Sequence, residues 1–160
     1  MKPFWNLIAI GTIAALAFAQ TPAQPVRVGT FHAQSVVVAY YRSPTWAERL
    51  KEKRVEGEAA KKANDTKKVQ ELNEWGGASQ ELAHRQVAGD APIGNIIEAL
   101  APAFPEIARK AQVSIIVPDL PYANASVQTV DVTEQLLDWL KASEATRKIV
   151  RELRNSQGAH

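Results

Sequence analysis

Few side chains in this 160-residue chain have the types and spacing for chemistry. It holds three histidines (His32, His84 and His160) and no cysteine. The histidines share no recurring spacing with one another or with carboxylates. His84 follows Gln80 by four residues and Glu81 by three, and a zinc site there needs further ligands that its surroundings do not supply. All three read as solvated surface groups. Without cysteine there is no thiolate nucleophile, and no Ser-His-Asp order with an elbow glycine occurs. Asp90 follows Gly89 at a helix start, where capping accounts for it. Asp131 and Glu134 stand three apart, just before Leu136 and Leu137, and read as a capping box. Asn124-Ala125-Ser126 matches a glycosylation acceptor, a short pattern that often arises by chance. The expectation is a non-enzyme with no catalytic residue, no metal site and no cofactor.

Binding chemistry is the remaining candidate. Lys61-Lys62 and Lys67-Lys68 flank Asn64-Asp65. Such pairs suit contact with lipid headgroups at a membrane surface, or with an acidic client. Glu56, Glu58, Asp65 and Glu71 lie among them and favour a plain solvated tip. Trp75 stands beside Gly76-Gly77 in a polar stretch that also carries Val69 and Leu72. It either packs on a facing segment near Trp46 and Leu50, the favoured reading, or lines a client cavity. Trp75, Leu72, Val69 and the four lysines form the candidate client-binding set. A net charge of +2 is too balanced to argue for nucleic acid.

The chain opens as an export signal does. Met1-Lys2 precedes an apolar run from Leu7 to Phe18. Ala17-Phe18-Ala19 has the small-x-small pattern of a cleavage site, predicting a cut between Ala19 and Gln20. The run is about 12 residues, short of the ~20 needed to span a bilayer. Residues 20–25 read as a disordered leader.

The elements that must position the binding residues follow. Val26 to Phe31 alternates like a half-buried strand. His32 to Tyr41 is ambiguous: Val36-Val37-Val38 favours a strand, while Phe31, Ser35, Val38 and Tyr41 fall at near-helical spacing, and a short helix is favoured. Two polar helices follow, about 45–63 and 66–88, with Pro44 opening the first and Asp65 capping the second. Joined by about two residues, they read as an antiparallel hairpin whose first arm is about 28 Å long. Gly76-Gly77 cost about 1 kcal/mol each relative to alanine, which predicts a bend or fray. Ile93, Ile96, Leu100, Phe104 and Ile107 then keep a core-facing stripe through a body helix over 92–111, kinked near Ala101 by Pro102 and Pro105. A buried strand is expected at 113–117 and a short one at 127–130. A helix with Leu136, Leu137 and Leu140 follows, and 143–160 reads as a short helix with Ile149, Val150 and Leu153, then a tail. The predicted class is α+β: a small α/β body built from both ends of the chain, a single domain over 26–142, with a protruding helical hairpin.

That layout resembles the Skp/OmpH-like family of periplasmic chaperones. The residues that carry the resemblance are Val26 to Phe31 with Val38 and Tyr41, then Ala111-Gln112-Val113-Ser114-Ile115-Ile116-Val117, Tyr122, and Val130-Asp131-Val132-Thr133 with Leu136-Leu137. The charged stretch between these blocks takes the place of the family's tentacle hairpin, so the chain resembles a short-armed, divergent member. The resemblance implies a periplasmic homotrimer that holds unfolded outer-membrane or periplasmic proteins in a cage of helical hairpins without ATP. The alternative is a non-catalytic envelope spacer or adaptor that reuses the same fold.

Overall fold

The computed structural model describes residues 25–157. The export segment 1–19, its cut at Ala19–Gln20, the leader up to residue 24 and His160 lie outside the described residues.

Among the described residues, seven helices surround a small sheet of three parallel strands, a mixed α/β arrangement. The strands are β1 (Val26–Phe31), β2 (Ile115–Pro118) and β3 (Val127–Asp131). β1 lies in the centre, in the order β2-β1-β3. Gly29 is in register with Ile116 on one side and Val130 on the other, so these positions share one face with Phe31. Phe31 is buried, and Ile116 and Val130 pack against the core on that face. A Cβ on Gly29 would lie 3.1 Å from both Ile116 Cγ1 and Val113 Cγ2. Glycine is therefore what lets the chain entering β2 close on β1.

The other face carries Val26, Val28, Ile115 and Val117, and Val26 and Ile115 are 54% and 52% exposed. The buried strand expected at 113–117 is thus corrected. It starts two residues later and is half-exposed, because Ile115 lies on the sheet face that is left open while Ile116 faces the core. Residues 119–126 carry the chain from β2 back across the sheet to β3, and Tyr122 in that segment is 76% exposed.

The ambiguous segment is a helix, α1 (Ala33–Tyr41). Every residue from Ser35 to Tyr40 is buried, so it is enclosed on all sides. The His32 side chain caps it by accepting from the Ser35 amide. α2 (Pro44–Lys62) starts at Ser43, whose hydroxyl accepts from the Trp46 amide. α3 (Thr66–Ala88) starts at Asp65, whose carboxylate accepts from the Lys68 amide at 2.9 Å. It ends at Gly89, whose φ of 85° suits glycine. α3 stays helical through Gly76 and Gly77, so the expected fray is absent.

The single body helix expected over 92–111 is two helices, α4 (Gly94–Leu100) and α5 (Phe104–Ala111). Pro102 and Pro105 cannot continue the hydrogen-bond ladder and disfavour helical backbone before them. The apolar stripe survives the break through Ile96, Leu100, Ala103 and Ile107. α6 (Thr133–Trp139) and α7 (Glu144–Gln157) complete the body. The capping box at 131–134 is half realised. Asp131 Oδ1 accepts from the Thr133 amide at 2.8 Å, but the Glu134 carboxylate turns to Arg147. α7 is more than an appendage: Val150 is buried, and Ile149 and Leu153 pack on the same core as α1.

Candidate functional site

α2 and α3 contribute almost nothing to that core. Only Ala60 is buried in α2, and only Gln86 in α3. Their seam is built from the half-buried α2 positions 46, 53 and 57 and α3 positions 69, 72, 75 and 79. Steps of three, four and seven residues put each set on one helix face.

At the root of the seam the rings of Trp46 and Trp75 lie 6.2 Å apart at 31°. Tyr41 meets Trp46 edge-on at 4.9 Å, which carries the aromatic row into the body. The Arg49 guanidinium sits 5.8 Å from the Trp46 ring centre and 6.0 Å from that of Trp75, and Lys53 Nζ is 5.9 Å from the latter. Both cations lie within reach of the ring quadrupoles. Trp75 therefore packs on the facing helix, the favoured sequence reading. Farther out, Leu72 Cδ1 stands 3.8 Å from the place a Cβ on Gly57 would take.

One polar side chain anchors the root. Gln86 is 1% exposed. Its Nε2 donates to the Pro92 carbonyl at 2.5 Å and to Asn95 Oδ1 at 2.6 Å, and its Oε1 accepts from the Tyr41 hydroxyl at 2.7 Å. Burial raises the Tyr41 pKa, with a side-chain hydrogen bond to Asn95 acting in the opposite direction.

Two hollows of about 310 Å³ each open along the seam. The outer one is bordered by Lys53, Arg54, Lys61, Val69 and Leu72, the inner one by Tyr41, Trp46, Ser79, Ala83 and His84. Leu50, Trp75 and Gly76 border both, so they form one groove. The fold thus gathers Val69, Leu72, Trp75 and Lys61 from the sequence-predicted set. The other lysines stand apart. Lys68 borders a separate hollow with Lys53, Glu56 and Asp65 and pairs with Glu71 at 3.6 Å. Lys62 and Lys67 are exposed. Lys61 pairs with Glu58 at 3.0 Å, and its hydrogen bond lowers the Glu58 pKa.

Sequence reasoning missed Lys53 and Arg54 as groove residues and Arg49 as the cation beside the Trp46 and Trp75 rings. Arg49 and Lys53 follow Trp46 by three and seven positions, so helical spacing already places them on its face. Gln86 carried no such signal, because its burial depends on Tyr41, Pro92 and Asn95.

Comparison with protein-family models, with characterised proteins and with solved structures finds no match to this chain. The site is therefore read from its geometry alone.

A further hollow, of about 470 Å³, opens at the carboxyl ends of the strands between Thr30, His32, Asp119, Pro121, Thr129 and Asp131. Open parallel sheets often bind ligands at such ends. Here the polar groups serve one another. The Asp119 carboxylate accepts from the Ala33 amide at 3.1 Å, Thr133 Oγ1 accepts from the His32 amide at 3.0 Å, and the His32 ring meets Ser35 Oγ at 2.7 Å. Asp119 thus fills the anion position at the start of α1. Among the described residues no group of three or more potential metal ligands occurs, and no helix is long and apolar enough to cross a membrane.

Proposed function

We propose that the protein is an exported, periplasmic, ATP-independent chaperone-like binder of unfolded proteins, and that α2 and α3 are the antiparallel arms of a Skp-like hairpin. One observation carries this reading. Two helices of 19 and 23 residues bury only Ala60 and Gln86 between them, yet they keep an aromatic groove open along their seam. Helices with so little buried surface add little to the stability of the body. A surface for weak contacts with other chains is a use that fits them. Leu50 and Val55 on α2 are 42% and 62% exposed, and they add apolar area outside the seam.

The clients are unfolded outer-membrane or periplasmic proteins, and no catalysis is involved. The working unit is a homotrimer. Support for self-association comes from the sheet face bearing Val26 and Ile115, since parallel sheets are normally covered on both faces. The same exposed face also favours a second reading, an oligomeric envelope spacer or adaptor with one folded partner.

Dilution of an unfolded outer-membrane β-barrel from urea tests the first reading. The protein in molar excess is expected to suppress light scattering without ATP, and to sediment as a trimer at micromolar concentration. Absence of suppression removes the chaperone function, and a stable monomer removes the caged assembly.

A further inference from the structure

Two glycines border the seam groove at positions where the backbone does not require glycine. A Cβ on Gly76 would meet nothing within 4 Å, and one on Gly57 only the tip of Leu72 at 3.8 Å. Both glycines sit inside helices, where glycine is unfavourable relative to alanine. Gly29 and Gly89 differ from them, the first being needed for close approach and the second for its positive φ. Gly76 borders both hollows, and a Cβ there would enter open space. The chain thus accepts a weaker helix and keeps the groove floor open.

The geometry points to one class of occupant: a short extended peptide segment in which aromatic or large aliphatic residues alternate with acidic ones. This inference rests on the client-binding reading above and names the chemistry of the client. The apolar half of the argument is the floor. Leu50, Leu72, Trp46 and Trp75 line hollows of about 310 Å³ each, at the lower end of the range for ligand pockets. The charged half is the rim. Lys53 and Lys61 are neutralised by Glu56 and Glu58 at 2.9 and 3.0 Å. Arg54 has no acidic partner among the described residues, and Arg49 lies over tryptophan rings instead of a carboxylate. Arg54 is therefore the guanidinium on the groove rim without a carboxylate, a group it can take in bidentate fashion, while Arg49 borders neither hollow. The α2 positions bordering the groove run from Trp46 to Lys61, about 22 Å at 1.5 Å per residue. An extended segment covers that length with about seven residues.

Fluorescence anisotropy of dye-labelled seven-residue peptides tests the assignment on the purified protein. A peptide alternating Phe and Asp is expected to bind. Peptides alternating Phe with Lys, or Ser with Asp, are expected to bind about tenfold more weakly or less. Gly76→Leu fills the groove and is expected to weaken the Phe-Asp peptide about tenfold. Gly77→Leu makes the same change in helix propensity but borders neither hollow, and it should bind as the parent does. Far-UV circular dichroism should show both variants at least as helical as the parent. Arg54→Glu changes an exposed residue and reads the charge term even if Gly76→Leu misfolds. It should lose the Phe-Asp peptide and gain the Phe-Lys peptide.

Equal binding of the Phe-Asp and Phe-Lys peptides overturns the assignment, as does parental affinity in a folded Gly76→Leu. If Gly76→Leu lowers the mass of the protein in solution, a second copy fills the groove and the peptide assignment falls. The β-barrel dilution assay separates the two claims. Suppression that survives in Gly76→Leu leaves the chaperone reading standing and removes the groove. Peptide binding without suppression does the reverse.

Discussion

The Tyr41 hydroxyl donates a 2.7 Å hydrogen bond to Gln86 Oε1, and this bond ties α1 in the core to the root of α3. Gln86 is almost fully buried, and its remaining donors are taken by Pro92 and Asn95. One satisfied amide thus joins α1, the root of α3 and the segment entering α4.

Tyr41→Phe leaves that buried acceptor without a partner. The expected loss of stability is about 1 to 3 kcal/mol, the usual cost of an unsatisfied buried polar group. Urea unfolding should show a lower midpoint at unchanged slope. A change within about 0.5 kcal/mol, as for an ordinary surface substitution, would mean that the bond does not hold the root.

Trp75→Ala removes the ring that faces Trp46 and Arg49. Trp75 is only half-buried, so the loss should be about 2 kcal/mol, below the 3 to 5 typical of a core aromatic. Trp75→Phe keeps an aromatic face and should recover about half of it. Thermal unfolding followed at 222 nm reads both variants, and equal stability of Ala and Phe at this position would refute the ring contact.

Gly29→Val should be among the most damaging single changes in the sheet. Its Cβ would meet Ile116 and Val113 at 3.1 Å, and the extra methyl groups have no free volume to enter. Overpacking of this kind costs about 1 to 3 kcal/mol. Calorimetry should show a lower melting temperature for Gly29→Val than for Gly76→Ala, which meets no neighbour.

Asp131 should govern part of the acid limb of stability. Burial pushes its pKa up, but hydrogen bonds from Thr133 and Arg154 outweigh burial and hold it below the ordinary carboxylate value. The folded protein therefore binds this proton less readily than the unfolded chain. The stabilising contribution is complete above the unfolded pKa of about 3.9 and fades as pH falls through the lower folded value. Asp131→Asn should cost about 1 kcal/mol near neutrality, mainly from the weakened bond to the Thr133 amide, because solvent screens the Arg154 pair. Its stability curve should converge on the parent's as pH falls through the lowered folded value. A constant gap from pH 7 to pH 2 would rule out Asp131 as the titrating group.

The paired change Lys62→Ala with Lys67→Ala should leave stability within about 0.5 kcal/mol of the parent, since both side chains are exposed. Binding to anionic vesicles tests the membrane-surface reading of the tip. Unchanged binding at low salt would assign these lysines to solvation alone.

Much of the architecture is legible from neighbours along the chain. Ser43-Pro44, Asp65 and Gly89 bound α2 and α3 because caps act within one helical turn. The stripe from Ile96 to Ile107 marks the core face even where Pro102 and Pro105 divide the helix, because periodicity depends on direction and not on continuity. Spacing also places Trp75 on the face that meets Trp46. The groove was legible in part: Val69, Leu72 and Trp75 stood out as apolar residues in a polar stretch, while Lys53 and Arg54 passed as ordinary surface charge.

By itself, then, the sequence determined the two long polar helices, the first strand and the lack of cysteine, since each depends on composition or on residues within one helical turn. The tertiary structure decided what depends on distant partners. Val36-Val37-Val38 is helical because enclosure by the core outweighs the strand preference of valine. Glu134 leaves its cap because Arg147 of α7 stands beside it. Gln86 is buried because Tyr41, Pro92 and Asn95 meet it from three elements. The groove between Trp75 and Arg54 likewise exists only once α2 and α3 lie side by side.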